Sequence, residues 1–230
     1  MVENINENNK VLIIGTVVSE FKFSHEVYGE GFYNVDIKVN RLSEQFDIIP
    51  LLVSERLINI NENAIGRTVE AKGQYRSYNH HDGAKNKLVL SVFVREIEYR
   101  DEFTDYTKTN QVFLDGFICK PAIYRKTPLG REIADILIAV NRPYGKSDYI
   151  PCIAWGRNAR FVNSIEVGTR IRLWGRIQSR EYVKKYSEEE VVKKVAYEIS
   201  VNKMEKVTEA LESEGTEDSE GTFAADNTDI

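Results

Sequence analysis

Cysteine is nearly missing: the 230 residues hold only Cys119 and Cys152, with no Cys-x-x-Cys spacing. That is too few for a disulfide scaffold and points to a reducing compartment, the cytoplasm. Long apolar runs are absent too, and nothing approaches the roughly 20 residues of a membrane-spanning helix. The opening stretch, MVENINENNK, has neither the basic start nor the apolar core of a secretory signal. Three histidines are too few to build a Ser-His-Asp or Cys-His arrangement, and His80-His81-Asp82 reads as a solvated hairpin loop, not a metal site. Gly29-Glu-Gly31 lacks the third glycine and the Lys-Ser/Thr of a phosphate loop. No catalytic motif is legible, so the expectation is a protein that is not an enzyme and needs no cofactor. Basic residues are in the minority, 31 against 36 acidic, a net charge of −5. Taken whole, that balance argues against a partner as acidic as nucleic acid.

What the chain does contain is a repeat, and repeats are sought first because they decide the fold. Asn9-Lys10-Val11 matches Asn110-Gln111-Val112, and Gly15 matches Gly116. Val39-Asn40-Arg41 recurs as Val140-Asn141-Arg142, and Ile49-Pro50 as Ile150-Pro151, all at an offset of 101. Ile65-Gly66 then matches Val167-Gly168, Gly73 matches Gly175 and Ser77 matches Ser179, at 102. Two copies of one domain are expected, at 8–104 and 109–207, joined by the polar stretch 100–109. Residues 208–230 hold eight acids, no base and few apolar side chains, and are expected to form a disordered acidic tail.

Within the second copy the apolar period is two, which marks strands at 112–119, 133–140, 149–155, 169–180 and 193–203. The first copy repeats the order at 11–18, 33–39, 46–53, 68–78 and 87–99. A short helix is expected between the third and fourth strands of each copy, at 156–164 and 55–62. Five strands with that helix match the partly open OB barrel, so the fold class is mainly all-β, two tandem OB-fold five-stranded barrels.

Charge divides unevenly over this frame. Residues 1–109 carry 13 bases and 17 acids, residues 110–203 carry 17 and 10, and residues 204–230 carry 1 and 9. The second copy is therefore basic at +7. Along its fourth strand Arg170, Arg172, Trp174, Arg176, Arg180 and Tyr182 share one parity, and Ile171, Leu173 and Ile177 the other. Four guanidinium groups gathered on one face repel one another unless an anion joins them. Rings among them suit an unpaired strand, whose bases offer flat faces for stacking while its phosphates need cations. Tyr149 and Trp155 on the third strand, Arg157 and Arg160 after it, and Tyr124, Arg125, Lys126 and Lys184 in the loops extend the pattern. The first copy keeps only Arg41, Arg76 and Tyr78 as secondary contacts, a degenerate face.

The segments Asn141-Arg142, Tyr149-Ile-Pro-Cys-Ile-Ala-Trp155-Gly156 and Gly175-Arg-Ile-Gln-Ser-Arg180-Glu-Tyr182 resemble the bacterial single-stranded DNA-binding protein family. The resemblance is good over 109–205 and faint over 8–100. It implies base-stacking roles for Tyr149, Trp155 and Tyr182, with Tyr144 a looser match. It also implies a homodimer presenting four OB folds, a bacterial, nucleoid-associated location in the cytoplasm, and work in DNA replication, recombination or repair. The family's acidic tail tip recruits partner proteins; here Asp226, Asp229 and Ile230 stand at the end, without the family's Pro-Phe. Two alternatives remain at this stage: an RNA- or tRNA-binding OB protein, and a structural adaptor that uses the aromatic face as a protein interface.

Overall fold

The structure, a computed structural model, describes residues 7–82, 85–101, 106–185 and 191–208. In the first repeat the strands are β1 (Asn9–Val17), β2 (Lys22–Val27), β3 (Glu30–Asn40), β4 (Phe46–Ser54), β5 (Thr68–Asp82) and β6 (Lys85–Arg100). In the second they are β7 (Asn110–Ile118), β8 (Ile123–Lys126), β9 (Glu132–Asn141), β10 (Ser147–Trp155), β11 (Arg170–Lys185) and β12 (Val191–Lys206), with the helix α1 (Arg157–Asn163) between β10 and β11. The strands hydrogen-bond in the order β2-β3-β4-β6-β5-β1-β7-β11-β12-β10-β9-β8, and the pairings β3–β1 and β7–β9 close each half on itself. The order reads the same from either end once six is added to each strand of the first half. Duplication in the sequence has become a pseudo-two-fold in space.

The axis of that symmetry passes through the β1–β7 ladder. Val11 lies opposite Val112, its own equivalent, while Lys10 faces Phe113 and Leu12 faces Gln111. Alternation then sends Ile13, Ile37, Ile49 and Leu51 into the interior of the first half, and Leu114, Ile138, Ile150, Ile171 and Ile177 into that of the second, all fully buried. Each such side chain contributes roughly 1.5–3 kcal/mol of burial. Both glycines matched along the long strand have a physical job. The β5–β6 and β11–β12 registers shift at Lys72/Gly73 and Trp174/Gly175, and a Cβ at Gly73 or Gly175 would strike the carbonyl oxygen of Phe93 or Ser200.

Three expectations are corrected. The helix expected at 55–62 does not form; turns and bends occupy that stretch. Asn59 Oδ1 accepts the Asn61 amide at 3.2 Å and Asn63 Oδ1 accepts that of Ile65 at 3.1 Å. These side-chain turns compete with helical bonding, and β-branched Ile58 and Ile60 add nothing to oppose them. Its counterpart α1 does form, with Ala159 and Val162 buried. Next, β2 and β8 are strands where only loops were expected. Finally, His80–Asp82 belong to the end of β5, not to a loop; their side chains, and all of 209–230 with Asp226, Asp229 and Ile230, lie outside the described residues.

Candidate nucleic-acid interface

On β10, Asp148, Ile150, Cys152 and Ala154 are buried on one face, and Tyr149, Pro151, Ile153 and Trp155 take the other. Tyr149 stays 49% and Trp155 40% exposed, because their neighbours across the β9 ladder, Ala139 and Ile133, do not cover a ring. At Gly156 the backbone takes a φ of 51° and turns into α1, which leaves Arg157 and Arg160 exposed beside Trp155. Tyr144 is fully exposed on the short turn before β10, itself at a φ of 63°. On β11, beyond the bulge, Arg180 and Tyr182 are both exposed. Lys184 continues that strand, but its side chain is outside the described set.

Carboxylates already hold several of the other expected cations. Glu132 accepts the Tyr124 hydroxyl at 2.6 Å, which pushes the phenol pKa up, and pairs with Arg160 Nε at 3.2 Å. Arg125 pairs with Asp135 at 2.8 Å. Lys126 and Arg157 have no ion pair among the described residues, and both are exposed.

Trp174 and Arg172 are placed elsewhere. They sit before the bulge, on the outer face of the central β5-β1-β7-β11 strands. Trp174 packs on Phe113 at 5.2 Å between centroids, and Lys203 lies 4.3 Å over its ring. Asp115 receives both Arg170 Nε at 2.8 Å and Arg172 Nε at 3.0 Å. Together they border a groove of about 460 Å³ that also touches Asn8, Lys10 and Asn141.

The remaining guanidinium groups meet at the contact between the repeats. Asp47, 1% exposed, accepts the Ser179 amide at 2.7 Å and its hydroxyl at 3.0 Å, two bonds donated by Arg41, one to each carboxylate oxygen, and one from Arg176 at 3.4 Å. Burial by itself would raise this carboxyl, but the Arg41 and Ser179 bonds outweigh it and hold the pKa below the ordinary value. The symmetric site reverses the repeats: Asp148 accepts the Ser77 amide at 2.6 Å and pairs with Arg142 at 3.0 Å. There burial wins, and the carboxyl is raised. Arg142 also reaches the Ser77 carbonyl, and the Tyr149 amide donates to the Ser77 hydroxyl at 2.8 Å. Arg76 lies nearby, bonded to Gln74, and Tyr78 is exposed on the same strand.

The structure thus brings Tyr149, Trp155, Arg157 and Arg160 together, and sets Arg41, Arg142 and Arg176 at the inter-repeat contact and Trp174 with Arg172 on the central sheet. The sequence reading missed Asp47, Asp148 and Asp115. The first two were within reach: they are related by the same offset of 101 as Arg41 and Arg142.

Residues 109–207 match the model of the single-strand binding protein family. Among curated relatives, the single-stranded DNA-binding protein of Halalkalibacterium halodurans is 35% identical over 80 residues, 32% of this chain and 48% of that protein. Single-stranded DNA-binding protein 1 of Staphylococcus aureus is 36% identical over the same length, again 48% of its own chain. The chain spans about half the length of the curated relatives it matches. In fold it is similar to the single-stranded DNA binding protein from Thermus aquaticus, with a TM-score of 0.62 and 19% identity over 87% of this chain and 93% of that one. That likeness extends the tandem OB architecture across both repeats, whereas the sequence match falls on the basic one. The likeness to the single-strand binding protein family thus lies in the second repeat, residues 109–207.

Proposed function

We propose that this protein is a non-enzymatic binder of single-stranded DNA without strong sequence preference, coating the strand during replication, recombination or repair. The observation that carries this reading is the pair of half-exposed rings, Tyr149 and Trp155, on one face of β10 with Arg157 beside them. Bases stack on rings of this kind whatever their identity, while cations take the phosphates. Tyr144, Tyr182, Arg180 and Lys126 extend the track on either side. A duplex hides its base faces and would contact only the cations. The family match over this same repeat, and the single-stranded DNA-binding proteins among its relatives, support the reading.

Assembly as a homodimer with four barrels is part of the proposal. The exposed groove around Phe113 and Trp174, at the pseudo-two-fold axis, is the face on which two chains would meet. The acidic segment 208–230 competes with DNA for the basic face and is the segment offered to partner proteins.

Fluorescence tests the central claim. In a Trp174→Phe background the signal comes from Trp155 alone, and oligo-dT should quench it while duplex of equal length does not. Equal quenching by both would refute stacking. Trp155→Ala should cost roughly 1–3 kcal/mol of oligo-dT affinity. Competition by oligo-U measures the preference for DNA over RNA.

A further inference from the structure

The first repeat lacks rings where the second has them: Ile48 and Ser54 occupy the positions of Tyr149 and Trp155. Its outer face nevertheless carries a column of rings contributed by other strands. His25 on β2 stacks on Phe32 of β3, with centroids 5.2 Å apart and planes at 12°. Phe32 in turn stacks on Phe93 of β6, at 5.9 Å and 29°. Two guanidinium groups close the column, Arg76 at 4.8 Å and Arg95 at 4.9 Å from the Phe93 centroid. His25 and Arg95 are exposed, and both phenylalanines are partly so.

Charge distinguishes this column from a simple staple across the sheet. Arg125, Arg160, Arg170 and Arg172 each have a carboxylate partner. Among the described residues, neither Arg76 nor Arg95 has one; Arg76 bonds only to neutral Gln74. Arg142 of the second repeat adjoins them, and a small cleft lined by Arg76, Arg95, Arg142 and Asp148 joins the three. Three cations meet there with one carboxylate among them. Ser77, one residue beyond Arg76, bonds to the backbone of Tyr149. The strand that carries Arg76 therefore meets the second repeat at the backbone of Tyr149, with an excess of positive charge at the join.

We infer that a single DNA strand crosses both repeats, its bases stacking on the His25–Phe32–Phe93 column as well as on Tyr149 and Trp155, and a phosphate lying at the Arg76–Arg95–Arg142 junction. This rests on the reading of the second repeat as a single-strand binder. It assigns the first repeat a track on the equivalent barrel face but on different strands, which is why a position-by-position comparison of the repeats does not find it.

The experiment uses the full chain and two oligo-dT lengths, one of about eight nucleotides, within the usual span of one OB fold, and one about three times longer. Phe93→Ala and, separately, Arg95→Ala are compared with Trp155→Ala. Arg95 is an exposed side chain, so its removal keeps the test open if Phe93→Ala fails to fold. Both first-repeat variants should leave short-oligomer affinity within about twofold of the parent and weaken the long oligomer about tenfold, with Arg95→Ala also flattening its salt dependence. Unchanged long-oligomer affinity in both variants overturns the inference, and if Trp155→Ala still weakens both lengths the function reading stands without it. Equal loss on both lengths also overturns it, because Phe93 would then be supporting the second repeat's site. A parent protein that binds neither length removes the function reading and this inference with it.

Discussion

The two buried aspartates at the inter-repeat contact look alike in sequence, yet their removal should have unequal effects. Asp47 uses both oxygens: Oδ1 accepts from the Ser179 amide, the Ser179 hydroxyl and Arg41, and Oδ2 accepts from Arg41 Nε at 2.8 Å and Arg176 at 3.4 Å. Asp148 concentrates its bonds on Oδ1, and its Oδ2 is buried without a partner, as are the Nε atoms of Arg76 and Arg142. In Asp47→Asn an amide N–H₂ must face arginine donors on one side. Charge-assisted bonds worth about 1.5–3 kcal/mol each are lost, and breaking a buried pair from one side costs about 3–5 kcal/mol. A net loss of about 3–4 kcal/mol is expected. In Asp148→Asn the amide nitrogen can occupy the site of the unpartnered oxygen and Oδ1 keeps its donors, so the loss should stay near or below about 1 kcal/mol. For a chain of this size each kcal/mol moves Tm by about 2–4 °C, so Asp47→Asn should melt about 6–16 °C below the parent and Asp148→Asn only a few degrees below. Urea unfolding at pH 7, followed by far-UV circular dichroism, measures both. Equal destabilisation by the two substitutions would refute the reasoning, as would a harmless Asp47→Asn.

Acid should separate the same pair by sign. The lowered Asp47 carboxyl contributes stability above the ordinary carboxylate range, lost as pH falls through that range to its depressed value. The raised Asp148 carboxyl takes up its proton first in the folded state, so acidification from its raised value to the ordinary one stabilises the parent relative to Asp148→Asn. Urea midpoints from pH 7 down to pH 4 should show the parent gaining on Asp148→Asn, and no such gain contradicts the assignment. Arg180→Ala should reduce the slope of log K against log salt for oligo-dT by about 0.7, one phosphate contact on a single strand. Arg172→Ala, whose guanidinium is already held by Asp115, should change it less; the reverse order would move the track to the central sheet. Truncation after Val207 should raise apparent affinity at low salt, and an unchanged affinity would reduce the acidic segment to a solubiliser.

Much of the architecture was legible because it depends on short-range rules. Alternation placed Ile150, Cys152 and Ala154 inward and Tyr149 and Trp155 outward, as β10 shows. The matched glycines marked the bulges, since only glycine fits against the opposing carbonyl. The helix slot of the first repeat failed for a local reason as well: a slot inherited by alignment says nothing about Asn59 and Asn63, whose side chains satisfy the backbone in turns instead. The ring column of the first repeat was hidden for a different reason. His25 and Phe32 face each other in the β2–β3 hairpin, but Phe93 lies far downstream in the chain and becomes their neighbour only when β3, β4 and β6 are laid side by side.

Charge on β11 shows why a strand cannot be read for function in isolation. Four guanidinium groups at one parity imply strong repulsion if nothing else is present, and repulsion implies an anionic ligand. Anions are present, but they are built in. Asp115, from the neighbouring β7, takes Arg170 and Arg172, and Asp47, from the other repeat, takes Arg176. Of the four, only Arg180 is exposed and has no ion pair among the described residues. The argument from uncompensated charge therefore survives, but for different residues: Arg180, Arg157 and Lys126 beside the second repeat's rings, and Arg76 and Arg95 beside the first's. Those five cations, not the strand that first drew attention, outline the path a polyanion would follow.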